Sequence, residues 1–106
     1  MNYFRAQGKN ITLEQMKTFK SESGADEDYD DFDYGVCASD SPGPRSFGGA
    51  WDALNEDDEI VVFKGQLVKE IYDGYIVYPT QEIARFTIRE WREKLADGSA
   101  YDYEEW

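Results

Sequence analysis

Between Glu59 and Phe86 the chain carries several short apolar runs in quick succession, with Asp73-Gly74 standing among them. Asp-Gly between alternating apolar segments is a strong hairpin signal, because both residues tolerate the positive φ of a tight turn. Glu59 to Lys64 is the clearest strand, since Ile60, Val61, Val62 and Phe63 form an unbroken β-branched and aromatic run suited to a central position. Gly65 reads as a turn. Gln66 to Tyr72 and Tyr75 to Tyr78 then pair across Asp73-Gly74, and after Pro79 the segment Glu82 to Phe86 makes a further strand. A chain with this centre points to an antiparallel or mixed sheet, and its other elements must cover that sheet.

The flanks supply the cover. Asn2 to Gln7 reads as a short first strand, closed by Gly8. Thr12-Leu13-Glu14-Gln15 fits a capping box that opens a helix, with Leu13, Met16 and Phe19 as its buried stripe and Ser23-Gly24 as its end. Tyr34 to Ser39 reads as a strand with Val36 and Ala38 on one face and Cys37 on the other. Ser41-Pro42-Gly43-Pro44 is a rigid break. A short helix over 46–54 would place Phe47, Ala50, Trp51 and Leu54 on one side, although Gly48 and Gly49 weaken it. The last helix starts at Thr87 with Glu90 in the capping-box position, pairs Trp91 with Leu95, and stops at Gly98. The tail from Ala100 to Trp106 is aromatic and acidic. The expected architecture is one α+β domain over 1–106, with a mostly antiparallel sheet of about five strands and two to three packed helices.

Composition supports a folded core at this length. Aromatic residues make up 16% of the 106, far more than a disordered acidic chain carries. The single cysteine excludes an internal disulfide framework and points to a reducing, cytoplasmic setting, with Cys37 as a buried structural residue. No apolar signal region follows Met1, and no apolar run approaches the length of a membrane span. The chain has no histidine, so histidine-based triads, most zinc sites and histidine pH switches are excluded together.

Charge is distributed very unevenly. The formal net charge is −12, from 23 acids and 11 bases. Between Ser21 and Glu59 stand thirteen acids against one base, Arg45, while ten acids and ten bases cancel in the rest of the chain. A one-signed segment of this kind repels nucleic acid and anionic membranes and steers towards basic partners. It also keeps a protein soluble, which is the blander reading. A halophilic chain would be acidic throughout, whereas six lysines sit in the balanced parts.

The acidic segment is the leading candidate site. Asp26, Glu27, Asp28, Tyr29, Asp30, Asp31, Phe32 and Asp33 interleave carboxylates with aromatic rings, and Asp52, Glu56, Asp57, Asp58 and Glu59 form a second cluster. Asp26, Asp28 and Asp30 imitate the start of an EF-hand loop. Asp31 occupies the place of the required glycine and Cys37 that of the closing glutamate, so no metal site is expected. In extended chain, acids at alternate positions would stand roughly 6.6 Å apart along one edge, as a row of charges to which phosphate-binding lysines and arginines respond. Tyr29, Phe32 and Tyr34 would then act as interface anchors, or else tie the loop to the core. Ser39, Ser41 and Ser46 lack a base and read as turn and cap residues, and Gly48-Gly49 lacks the lysine of a phosphate loop.

With the run Asp28-Tyr29-Asp30-Asp31-Phe32-Asp33-Tyr34 and a Glu-Glu-Trp end, the chain resembles the small acidic inhibitors of phages and mobile elements. These include anti-CRISPR proteins, anti-restriction proteins and the inhibitor of uracil-DNA glycosylase. The resemblance implies an acidic interaction protein that occupies the basic, nucleic-acid-binding surface of a partner protein as a nucleic-acid mimic. It implies no catalysis, no cofactor, no direct binding of nucleic acid and no membrane association. A second resemblance is to ADP-ribosyltransferases, whose Arg, Ser, Glu order is echoed by Arg5, Ser39 and Glu82; it implies that these residues hold NAD and polarise its ribose. The Ser-Thr-Ser motif of that family is absent. Read without the resemblance, Arg5 is an exposed strand residue and Glu82 its salt partner or a cap.

Overall fold

The computed structural model of the chain describes residues 2–18, 35–43, 54–71 and 74–105. In chain order these form β1 (Tyr3–Gln7), α1 (Leu13–Lys17), β2 (Val36–Ala38), β3 (Glu59–Ile71), β4 (Gly74–Thr87), α2 (Ile88–Asp97) and a closing 3-10 helix (Ser99–Glu105). The strands make one antiparallel sheet in the order β1-β3-β4-β2. Its edges meet again where Phe4 and Ser39 exchange backbone hydrogen bonds of 2.8 and 2.9 Å, so the sheet curls most of the way into a barrel.

The α+β class is as expected, but among the described residues the strand count is four rather than about five. Gly65 and Pro79 account for the difference. Read as turn and breaker, they stand opposite each other within one continuous hairpin. A side chain on Gly65 would lie 2.3 Å from the Tyr78 carbonyl oxygen and 2.6 Å from a Val77 methyl group. Glycine therefore permits a bend that a larger residue would block. The ladder slips one residue between Val62 and Phe63 and again between Lys64 and Gly65, just before this point, and once more after Leu67, where Val68 is the extra residue of β3. The hairpin closes at the pair Ile71 and Gly74, one residue earlier than expected.

Both faces of the sheet are covered. On one face Tyr3, Val61, Phe63, Val36, Ala38 and Val77 pack with Met16 of α1. On the other, Phe4, Ala6, Ile60 and Val62 meet Ile88 and Trp91 of α2 and Ala100 of the 3-10 helix. Alternation along β1 and β3 sends successive residues to opposite cores, which is why Ile60 to Phe63 is apolar without a break. Trp91 is fully buried. Its ring lies 5.5 Å from that of Phe86 and 6.0 Å from those of Phe4 and Tyr103, and its indole N–H donates to the Pro42 carbonyl at 3.0 Å. The tail thus docks through Ala100 and Tyr103 rather than hanging free.

Both capping boxes form, Thr12 with Gln15 and Thr87 with Glu90. Gly98 ends α2 at φ 86°, the left-handed conformation that closes helices at low cost for glycine. Helix α1 is shorter than its sequence suggested. The Thr18 hydroxyl and amide both turn back to the Gln15 carbonyl, at 2.7 and 3.0 Å, and close the helix after Lys17. Cys37 corrects another expectation: Val36 and Ala38 face inwards, so alternation leaves Cys37 exposed on the outer face of β2. The expected helix over 46–54 lies outside the described residues, save for Leu54, which packs beside the α2 core. Among the described residues no helix is long and apolar enough to cross a membrane.

Candidate functional site

The second acidic cluster forms a knot where three elements meet. Asn55 to Asp58 make a turn closed by the Asp58 amide on the Asn55 carbonyl, at 3.0 Å. The Asp58 carboxylate accepts from the Asn55 amide at 2.8 Å and the Lys9 amide at 3.1 Å, which together hold its pKa below the ordinary carboxylate value. Glu59 reaches the same β1–α1 loop, accepting from the Asn10 amide at 3.0 Å. The turn also offers its carbonyls to α2. The Ile88 amide donates to Asp58 at 2.8 Å and the Arg89 amide to Glu56 at 3.2 Å, so two amides that a helix start leaves unpaired are satisfied.

Arginines answer the carboxylates. Arg85 donates from Nε and Nη2 to one Glu82 oxygen, at 3.1 and 2.6 Å. Its Nη1 donates to Glu59 at 3.1 Å and to the Ile11 carbonyl at 2.7 Å. Burial works against this charge, yet Glu82 and Glu59 outweigh it and raise the guanidinium pKa. Arg85 and Glu59 keep only 21% and 18% of their side chains exposed, so losing either would strand a poorly hydrated charge. Around them opens a hollow of about 700 Å³, lined by residues 10–14 with Glu59, Glu82 and Arg85. Further out, Arg89 pairs with Glu56 and Asp57 at 3.1 and 3.8 Å, and Arg92 with Glu56 at 3.3 Å. These groups are about half exposed or more, where an ion pair contributes roughly 0–1 kcal/mol.

The expected contact residues therefore divide into three sets. Asp58 and Glu59 hold the fold together at this junction. Glu56 and Asp57 face solvent across from basic side chains of α2. The segment 26–33 and Asp52 lie outside the described residues. Asp40, another acid of the one-signed stretch, is exposed and accepts the Tyr75 hydroxyl at 3.1 Å, a bond that raises the phenol pKa. No cluster of three or more potential metal-ligating side chains occurs among the described residues.

The Arg5, Ser39 and Glu82 constellation takes a different shape from the one the transferase resemblance implies. Arg5 is half-buried rather than exposed as expected, and burial lowers its pKa. It donates to the Gln7 side-chain oxygen and the Cys37 carbonyl, both at 3.0 Å. Ser39 is 7% exposed; its backbone bridges to Phe4 and its hydroxyl accepts the Ser41 amide, which is the turn role expected of it. Glu82 is gripped by Arg85 rather than by Arg5.

What the sequence reading missed is the set Arg85, Arg89 and Arg92. A single base in its strand, Arg85, followed by Arg89 and Arg92 at helical spacing, was the available signal. No family model, no curated protein and no solved structure matches this chain.

Proposed function

We propose that this chain acts by binding, as an acidic protein that occupies the basic, nucleic-acid-binding surface of a partner protein. The observation that carries the reading is the segregation of charge, with thirteen acids against one base between Ser21 and Glu59. Arg85, Arg89 and Arg92 answer Glu59, Glu56 and Asp57 at the end of that stretch, and Lys17 answers Glu14. The proposed contact face therefore rests on the acids of residues 26–33 with Asp52, and Glu56 and Asp57 extend it only through exposed, weakly paired carboxylates. Charge complementarity would speed association and make it weaken with salt. The mechanism is competitive occupation of a site that otherwise takes nucleic acid.

The test is capture of partners from a host lysate by wild type and by a variant carrying Asp26, Asp28, Asp30, Asp31 and Asp33→Asn, at low and high salt. A nucleic-acid-binding protein should be retained by wild type alone and released by salt, with circular dichroism of the two chains unchanged. Binding that survives neutralisation, or a variant that unfolds, rejects the acidic segment as the contact face. NAD serves as a control, and no saturable shift in melting temperature is expected from it. The internal engagements of Arg5, Ser39 and Glu82 leave no specific observation to favour the transferase reading.

A further inference from the structure

The acids at the far end of the one-signed stretch are engaged by the chain's own arginines. Both carboxylate oxygens of Glu56 are taken. Oε2 accepts from Arg89 Nε and Nη2 at 3.3 and 3.1 Å, and Oε1 accepts from Arg92 Nη1 at 3.3 Å. The same Arg89 Nη2 stands 3.8 Å from the Asp57 carboxylate. Arg89 and Arg92 are three residues apart on α2, a spacing that turns both towards the 55–58 turn.

Other bonds hold the turn in place without these guanidinium groups. The Ile88 and Arg89 amides donate to the Asp58 and Glu56 carbonyls, and the Asp58 carboxylate accepts the Asn55 and Lys9 amides. Glu56 and Asp57 therefore keep their place when a guanidinium leaves. The four side chains are about half exposed or more, so a second cation can reach the carboxylates. Exposure of this degree also keeps each existing pair weak enough to exchange.

A basic partner arriving at this end must exchange one cation for another. Exchange of like for like gains little, whereas a carboxylate with no cation beside it gives the full attraction. We propose that Arg89 and Arg92 are built-in competitors, which mask Glu56 and Asp57 and weaken the hold of this chain on a basic partner. The inference rests on the reading that the partner is basic, and it adds a control on the strength of binding. Removing Arg89 uncovers Asp57 and one oxygen of Glu56. The gain in affinity then exceeds what loss of one positive charge brings elsewhere on the surface.

Anisotropy titration of a fluorescent decalysine peptide, standing in for the basic partner, tests this. Arg89→Gln should bind the peptide more tightly than wild type. Lys64→Gln removes the same charge from β3, outside these pairs, and supplies the baseline. The gain from Arg89→Gln should exceed that baseline by about twofold to fivefold at low salt, and the excess should shrink as salt screens the exposed pairs. In a chain already carrying Glu56→Gln and Asp57→Asn the excess should vanish. Arg89 is 62% exposed and Gln suits a helix, so the fold is expected to survive, which circular dichroism checks. Equal gains from Arg89→Gln and Lys64→Gln, or an excess that persists without the two acids, overturns the proposal. The variant with Asp26, Asp28, Asp30, Asp31 and Asp33→Asn runs alongside. Unchanged affinity in that chain rejects the acidic segment as the contact face, while the comparison at Arg89 is decided separately.

Discussion

Glu90 shows how a single carboxylate is put to work. It accepts the Thr87 backbone amide at 3.0 Å and the Thr87 hydroxyl at 3.1 Å, in that order of influence, and both hold its pKa below the ordinary value. A depressed pKa in the folded state means stability that is present above the ordinary carboxylate pKa of about 4.3 and lost as pH falls through the folded value. Glu90→Gln keeps an acceptor for the Thr87 amide but removes the titration. The expected outcome is a gap in melting temperature between wild type and Glu90→Gln that is constant from pH 7 to 5 and closes below about pH 4. A gap that stays constant down to pH 3 would show that the charge contributes nothing to the cap. The two carboxylates at the neighbouring junction differ from Glu90 in kind. Asp58 and Glu59 join β1, α1 and β4 across large sequence separations, through bonds to the Lys9 and Asn10 amides and to Arg85.

Among the elements, the β3–β4 hairpin sets the shape. Its strands of 13 and 14 residues run well past the reach of β1, and the molecule measures 44 Å along its longest axis against 27 and 25 Å across. The bend at Gly65 is its most constrained point. Gly65→Ala would drive a methyl group against the Tyr78 carbonyl, and should destabilise the fold by about 2–3 kcal/mol in urea titration, with the slope of the transition unchanged. A loss below about 0.5 kcal/mol would mean that the strands relax around the methyl group and that the bend does not need glycine. The helices were read more accurately. Both capping boxes, the Gly98 stop and the burial of Trp91 with Leu95 packed beside it stand where local patterns put them. Such signals depend on residues three or four apart, and tertiary context has little room to alter them.

For the whole molecule, the question is how a chain of net charge −12 stays folded. Its two cores share one sheet, and the arginines of α2 and β4 answer only the far end of the acidic stretch, at Glu56, Asp57 and Glu59. The residual repulsion should be long-range and sensitive to screening. The melting temperature is therefore expected to rise between 10 and 150 mM salt in wild type, and to rise less in the variant with Asp26, Asp28, Asp30, Asp31 and Asp33→Asn. Calorimetry at one protein concentration checks this, held low enough that association does not contribute. Equal rises in the two chains would place the repulsion elsewhere than in the acidic segment.

The α+β class, the hairpin, the helix caps and the segregation of charge were all determined by the sequence alone, because each rests on neighbours along the chain. Tertiary structure decided the rest. Gly65 and Pro79 look like turn signals until they are found opposite each other in one bent hairpin. Cys37 looks like a core residue until the pairing of β2 with β4 turns it outwards. Arg85 meets Glu59 and Ile11 only because the sheet brings 26- and 74-residue separations together. The same pairing splits the acids that composition lumped into one: Asp58 and Glu59 hold the junction, while Glu56 and Asp57 face solvent. Sequence reports how much charge a segment carries. Whether a carboxylate is spent on its own fold depends on which amides and guanidinium groups the fold carries to within 3 Å of it.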